Sequence, residues 1–197
     1  QGTKVGLLGP NSVEYLISLY GCSKGAYIAV PINPGLSQED LLNILNHSEV
    51  EVLIVDDALC EMVEKIKDQL PNVQIFVSIP ATNASVPPPF RDFYKLLQGM
   101  PIKEVEDVVI NDRDVFEILY TSGTTSSPKG VQVTHLALFI MSLTNLVEME
   151  FYKGSVGTTQ LPLFHSAQQS FTTSFMHVGG KIVLFREFDP ENVLQNI

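Results

Sequence analysis

A loop between Tyr120 and Gly130 combines residue types that bind phosphate groups. Its sequence is Tyr-Thr-Ser-Gly-Thr-Thr-Ser-Ser-Pro-Lys-Gly. Gly123 permits a positive φ, so that successive backbone N–H groups can converge on one anion. Lys129 adds a positive charge on a long stem, which suits a terminal phosphate. Neutral hydroxyl donors come from Thr121, Ser122, Thr124, Thr125, Ser126 and Ser127. We therefore predict that this loop binds a polyanion.

A polar surface loop and a Walker phosphate loop share some of these residue types. Serine, threonine, glycine and proline are ordinary residues of polar surface loops. The Walker phosphate loop requires Gly-Lys-Ser/Thr at the start of a helix. Here Pro128, Lys129 and Gly130 open a predicted strand instead, so the Walker motif is absent.

A second candidate segment, Pro162-Leu163-Phe164-His165, lies between a predicted strand and a predicted helix. Open α/β sheets place ligand-binding groups at this kind of strand end. A single histidine is also often structural, and the two interpretations stay open on residue type alone. The other histidines show no metal-ligand spacing and are interpreted as structural: His47, His135 and His177.

The elements that must position these segments alternate along the chain. Apolar runs at 4–8, 28–32, 50–55 and 73–79 predict four strands, and amphipathic segments between them predict three helices. This alternation indicates right-handed crossovers and a parallel sheet, which is an α/β fold. A helix after Thr134 is predicted to turn one apolar face to the core. That face consists of Leu136, Phe139, Ile140, Leu143, Leu146 and Val147.

Polar residues mark the predicted helix starts. Asn11 with Glu14 and Ser37 with Asp40 have the spacing of a capping box or its acidic variant. Further N-caps are predicted at Asp56-Asp57, Thr134 and Asp189. The proline-rich stretch 80–89 is predicted to lack regular structure. We predict a first βαβ lobe over 1–79, a connector over 80–114, and a second lobe over 115–197.

Composition narrows the choice of partners. The 197 residues carry a formal net charge of −10, which disfavours nucleic acid because the phosphate backbone is repelled. The two cysteines, Cys22 and Cys60, are predicted to be buried free thiols in a reducing compartment, which favours a cytoplasmic location. No apolar run approaches the ~20 residues of a membrane span. The first residues show no targeting segment and no initiator methionine, as expected for an excised piece.

The loop resembles the signature loop of the adenylate-forming superfamily, whose usual form is Tyr-Thr-Ser-Gly-Thr-Thr-Gly-x-Pro-Lys-Gly. Ser126 departs from this pattern, because the family usually has glycine there. The segment Gly25–Pro34 resembles the family's Gly-Ala-x-x-x-Pro-Ile-x-Pro stretch. Pro162–His165 resembles its Pro-Leu-Phe-His segment, which lines the acyl and pantetheine pocket.

This resemblance implies a three-layer αβα fold with mainly parallel sheets, truncated relative to the large domain of an acyl-CoA synthetase. It implies that ATP, Mg²⁺ and coenzyme A are used to convert a carboxylic acid, expected to be fatty, first to an acyl-adenylate and then to acyl-CoA. The residues implied for phosphate binding are Thr121, Ser122, Gly123, Thr124, Thr125, Ser126, Lys129 and Gly130. Thr121 matches a position close to Mg²⁺ in some members, and Phe164 and His165 match the acyl-binding position.

No catalytic residue of the family is assigned within this sequence. The later adenine-binding, ribose-binding and hinge segments are missing, as is the small C-terminal domain with its catalytic lysine. The chain alone is therefore expected to be inactive.

Three alternatives stay open. Peptide-synthetase adenylation domains usually place aspartate at the position of His165, to hold the amino group of an amino acid. This chain has no acidic residue between Gly157 and Arg186, which favours a carboxylic acid without an α-amino group. A luciferase-like adenylating enzyme and a non-catalytic nucleotide-binding module would carry the same loop.

Overall fold

The computed structural model describes residues 2–81, 86–103, 105–106, 108–121 and 128–196. Seven strands form one sheet in the order β5-β4-β3-β1-β2-β6-β7. They are β1 (Lys4–Leu8), β2 (Ile28–Ile32), β3 (Val52–Asp56), β4 (Ile75–Ile79), β5 (Arg91–Asp92), β6 (Val115–Thr121) and β7 (Lys129–Thr134). The helices are α1 (Val13–Lys24), α2 (Gln38–Ser48), α3 (Cys60–Glu64), α4 (Phe93–Leu97), α5 (His135–Glu148), α6 (Ser166–His177) and α7 (Pro190–Gln195).

Among the described residues, the sheet is parallel from β5 to β6, and the pairing of β6 with β7 is antiparallel. Apolar side chains of α2 and α3 pack on one face of the sheet. Apolar side chains of α1, with Leu138 of α5, pack on the other face. The predicted α/β fold, with helices on both sides of a mainly parallel sheet, is confirmed.

A second, two-stranded sheet follows, formed by β8 (Val156–Thr159) and β9 (Lys181–Leu184) in parallel. Helix α6 connects these two strands. The hairpin of β6 and β7 adds to the first sheet, so that sheet continues across the predicted connector at 80–114. The division into two lobes at those boundaries stays a prediction.

The predicted caps are correct at four positions and wrong at one. Side chains of Ser37, Asp56, Thr134 and Asp189 accept backbone N–H bonds at the helix starts that follow them. For α1 the cap is Ser12 and not Asn11, because the Ser12 hydroxyl accepts from the Tyr15 N–H at 3.0 Å. The Asn11 side chain is engaged elsewhere, in contacts described below.

Two helix predictions also differ from the structure. The third predicted helix, between the strands at 50–55 and 73–79, does not form as one helix. α3 is five residues long and is flanked by 3-10 turns, although Val63, Ile66 and Leu70 of this stretch are buried. The apolar face of α5 is not core. Five of its six predicted members, all except Leu146, are at least 36% exposed, whereas Leu138 and Ser142 are the buried side chains of that helix. The periodicity identified an apolar face but could not show what covers it.

Candidate active site

The carboxyl ends of the parallel strands meet at one edge of the sheet, and the candidate residues gather there. β1 runs into Gly9-Pro10-Asn11, β3 ends at Asp56, and β6 ends at Thr121. In open α/β sheets this edge is where ligands bind.

The hairpin of β6 and β7 forms the base of the predicted phosphate loop. Thr121 lies directly opposite Lys129 in the antiparallel ladder, so their side chains project from the same face. Both residues are exposed. The structure thus brings the hydroxyl and the ammonium group to the two ends of the loop. The predicted loop residues Ser122, Gly123, Thr124, Thr125 and Ser126 lie outside the described residues.

Gly130 has a packing role in this hairpin. It pairs with Tyr120, and a Cβ atom added at Gly130 would lie 2.9 Å from Ile118 Cγ2 and 3.2 Å from Tyr120 Cζ. The Tyr120 hydroxyl is hydrogen-bonded to His47 Nδ1 at 2.6 Å. A side chain at 130 would therefore crowd Ile118 and the tyrosine ring, whatever the role of Gly130 toward phosphate.

Thr121 is the predicted residue near a Mg²⁺ ion. Within the described ranges, no group of three or more His, Cys, Asp or Glu side chains is placed to hold a metal ion. Mg²⁺ commonly takes few protein ligands and several phosphate or water oxygens, and a threonine hydroxyl at a phosphate loop fits that pattern.

The segment Leu161–His165 joins β8 to α6 and carries the second pair of predicted site residues. Phe164 is half-buried and His165 is exposed. His165 also caps α6, because its Nδ1 accepts from the Ala167 N–H at 3.2 Å. The imidazole is thereby fixed by the start of its own helix. Between described residues, no hydrogen bond, ion pair or ring contact joins this pair to Thr121 or Lys129.

Three buried amide side chains hold the backbone of this segment. Asn11 accepts from the Leu163 N–H at 2.7 Å and donates to Leu161 O at 3.0 Å. Its amide also donates to Phe185 O at 3.2 Å, which ties the carboxyl ends of the two sheets together. Gln168 accepts from the Leu161 N–H at 3.0 Å, and Gln169 donates to Leu163 O at 2.9 Å. Sequence reasoning missed this role of the three residues, since buried polar side chains leave no hydrophobic period.

An ion pair also joins the carboxyl ends of the two sheets. Arg186 Nη2 lies 2.8 Å from Asp56 Oδ2, and the Asp56 side chain is only 2% exposed. Gly9 allows the approach, since a Cβ atom there would lie 3.1 Å from Asp56 Cβ. Asp56 therefore joins β1, β3 and the residues after β9, in addition to capping the turn that follows it.

Neither cysteine belongs to this site. Cys22 and Cys60 are free and buried, as predicted. Burial raises the pKa of the Cys22 thiol to about 12 and also raises the pKa of Cys60. Both are thiols at neutral pH, so neither is a nucleophile. Across the described part of the chain, no helix combines the length and apolar character needed to cross a bilayer.

The sequence of this chain matches a known protein family and proteins of known activity. The family described as AMP-binding enzyme matches residues 1–197. A 4-hydroxybutyrate–CoA ligase of Metallosphaera sedula is 27% identical over 195 residues, covering 94% of this chain and 35% of that protein. A long-chain-fatty-acid–CoA ligase of Thermus thermophilus is 31% identical over 185 residues, covering 93% and 33%.

Solved structures agree with these sequence relatives. The crystal structure of a long-chain-fatty-acid–CoA ligase from Archaeoglobus fulgidus superposes with a TM-score of 0.89 and 29% identity. The match covers 100% of this chain and 38% of that one. The chain thus spans about a third of the length of the curated relatives it matches.

Proposed function

Because this chain belongs to the AMP-binding enzyme family, we propose that it forms part of an AMP-forming acyl-CoA synthetase. The observation that carries this proposal is the arrangement at one sheet edge. A hairpin presents Thr121 and Lys129 at the ends of a phosphate-type loop, and Asn11 ties the Leu161–His165 segment to the end of β1. The relatives named above are CoA ligases.

In the first step, the substrate carboxylate attacks the α-phosphorus of ATP, which releases pyrophosphate and leaves an acyl-adenylate. The loop residues Ser122–Ser126, with Lys129 and Gly130, hold the β- and γ-phosphates as they become the leaving group. Lys129 is suited to this role because it offers a positive charge outside the packed core of an acidic protein. Bound Mg²⁺ would neutralise phosphate charge, and Thr121 is the residue of this chain that we assign to its vicinity.

In the second step, the coenzyme A thiol attacks the acyl carbonyl carbon and displaces AMP. Phe164 and His165 line the acyl and pantetheine position. The amide bonds to Leu161 and Leu163 fix the backbone beside them, and such positioning reduces the entropic part of the barrier. The isolated chain lacks about two thirds of a relative's length, and we propose that it does not catalyse either step alone.

The substrate class follows from the charge near this segment. No acidic residue lies between Gly157 and Arg186 to pair with an α-amino group. We propose a carboxylic acid without an α-amino group, with fatty acids as the first class to test. The free thiols Cys22 and Cys60 suit a reducing compartment, so the proposed location is the cytoplasm.

Pyrophosphate exchange tests this proposal on the full-length protein that contains the chain. Fatty and aromatic acids should drive exchange of labelled pyrophosphate into ATP, and added coenzyme A should then yield a thioester. Exchange with amino acids alone would indicate a peptide-synthetase activity. Exchange without thioester formation would indicate a luciferase-like enzyme, and nucleotide binding without any exchange would indicate a non-catalytic module.

A further inference from the structure

Glu117 on β6 is an acid buried without a cationic partner. The residue is 1% exposed, and its Oε2 has no hydrogen-bond partner among the described residues. No ion pair of Glu117 occurs in the described ranges. A buried acid is costly unless its polar atoms are satisfied or it stays neutral, so its presence in the middle of a sheet requires an explanation.

A β-bulge directs this side chain toward α1 and α6. Val115 pairs with Thr134, whereas Glu117 pairs with the next residue of β7, Val133, so Phe116 is an extra residue in β6. Phe116 packs into the cluster that contains Leu163. Glu117 interacts with the side chain of Gln169 on the same side of the sheet. Bulges re-aim side chains near functional sites, and this one puts two consecutive side chains on the side of the acyl segment.

Gln169 links the surroundings of Glu117 to the Leu161–His165 segment. Its side chain is 1% exposed and donates from Nε2 to Leu163 O at 2.9 Å. Its Oε1, like Glu117 Oε2, is buried without a hydrogen-bond partner among the described residues. The Leu163 N–H donates to Asn11. Hydrogen bonds at both the carbonyl and the N–H thus hold Leu163, the residue before Phe164.

We propose that Glu117 and Gln169 form a buried connection through which the strand leading to the phosphate loop positions the acyl-binding segment. Glu117 is then a positioning residue for the carboxylic acid, acting through Gln169 and Leu163. The proposal rests on the proposed function for its kinetic consequences, whereas its structural consequence can be measured without any activity.

The connection works with a neutral carboxyl group. Burial raises the pKa of Glu117 to about 8, although the nearby Gln169 side chain opposes this rise. The titratable side chains on the surrounding elements are Tyr15, Tyr20 and Cys22 on α1, His135 beside Phe116, and His177 at the end of α6. Burial raises the pKa of each of the two tyrosines and of Cys22, so the facing groups on α1 are neutral as well. A protonated carboxyl can donate a hydrogen bond, which a carboxylate cannot.

Kinetics of Glu117→Gln and Glu117→Leu in the full-length protein test the connection, with pyrophosphate exchange as the assay so that the thiol of coenzyme A does not contribute. Glu117→Leu should raise KM for the acid about tenfold and leave KM for ATP within about twofold. Between pH 7 and pH 9 the wild-type KM for the acid should rise about tenfold as the carboxyl ionises, whereas Glu117→Gln should change less than about twofold.

Leu45→Ala is the matched control, because it removes a buried side chain on the opposite face of the sheet. It should destabilise the protein without changing the ratio of the two KM values. If Glu117→Leu raises both KM values equally, or if Glu117→Gln keeps the wild-type pH profile, the connection does not exist.

Hydrogen–deuterium exchange separates this inference from the proposed function. In Glu117→Leu, the backbone amides of the 161–165 segment other than Pro162, which has no N–H, should exchange faster, while those of α2 keep their protection and Glu117→Gln matches wild type. If no acid drives pyrophosphate exchange, the proposed function fails and the amide exchange still decides the inference. Unchanged protection of 161–165 in a folded Glu117→Leu would overturn it.

Discussion

The two parts of the candidate site are built by different kinds of bond. The β6–β7 hairpin is held by a main-chain ladder, in which Thr121 and Lys129 are exposed ends. The Leu161–His165 segment is held by the side chains of Asn11, Gln168 and Gln169. A ladder survives replacement of its side chains, whereas a segment held by amides depends on each of them. Substitutions in the hairpin should therefore change activity without changing stability. Substitutions in the Leu161–His165 segment should change both.

The dependence of stability on pH is the sharpest test of the buried polar side chains that support the Leu161–His165 segment. The pKa of Glu117 is raised from 4.5 in an unfolded chain to about 8 in the folded protein. Its contribution to stability is therefore fully present below pH 4.5 and is lost progressively until the pH passes the folded value. The difference between these two pKa values corresponds to about 5 kcal/mol.

Urea titration of wild type and Glu117→Gln at pH 4.5, 6 and 8 measures this effect, and the difference between the two proteins removes contributions from other titrating groups. Relative to wild type, the variant should become progressively more stable as the pH rises. A difference that is the same at all three pH values would contradict a buried neutral acid.

Asn11→Leu should show the next largest effect. The substitution keeps the size of the side chain but leaves Leu163 N–H, Leu161 O and Phe185 O without their partner. We expect a loss of about 3 kcal/mol in the free energy of unfolding. Denaturant titration against Asn11→Asp, which keeps an acceptor for Leu163 N–H, gives the comparison. A loss below about 0.5 kcal/mol would show that the amides do not hold the segment.

Lys129→Ala tests the hairpin. Because Lys129 is exposed and its main chain carries the ladder, stability should change by no more than about 0.5 kcal/mol. Loss of a charged contact to the leaving phosphates should slow adenylation by about 10- to 100-fold.

Thioester formation from supplied acyl-adenylate is the control for Lys129→Ala, since pyrophosphate leaves only in the first step. Single-turnover assays of both half-reactions provide the measurement. Equal slowing of the two steps would remove Lys129 from phosphate binding.

Tyr120→Phe should have the smallest effect. It removes the hydroxyl bonded to His47 Nδ1 but keeps the ring that packs over Gly130. One partly exposed hydrogen bond is worth about 1 kcal/mol, so the melting temperature should fall by only a few degrees. Gly130→Ala, which would crowd Ile118 and the ring, should lower it further. The reverse order would mean that the hydroxyl, and not the ring, sets the base of the hairpin.

The sequence predicted the apolar framework well because burial of apolar side chains has a period. Leu41, Ile44 and Leu45 of α2 follow helical spacing, and all three are buried. Helix α6 differs, since most of its buried side chains are polar, including Gln168 and Gln169. Their burial depends on partners far away in sequence, which no local pattern records.

The incorrect cap prediction has the same origin. Asn11 has the residue type and spacing of a cap, but three distant backbone groups compete for its amide, and Ser12 takes the cap. The bulge that turns Glu117 inward depends on the pairing of β6 with β7 and leaves no mark in either strand alone. Phosphate binding by the loop was predicted from residue order and stays a prediction, and the structure describes the two ends of that loop.

The state of the two cysteines makes the protein convenient for site-selective labelling. Cys22 and Cys60 are buried thiols with raised pKa values, so maleimide reagents should modify both slowly in the folded protein. A cysteine introduced at an exposed position, such as Gln132 on β7, would then be the fast-reacting site without removal of either native residue. A fluorophore attached there would show whether the hairpin moves when the proposed ligand, ATP, is added.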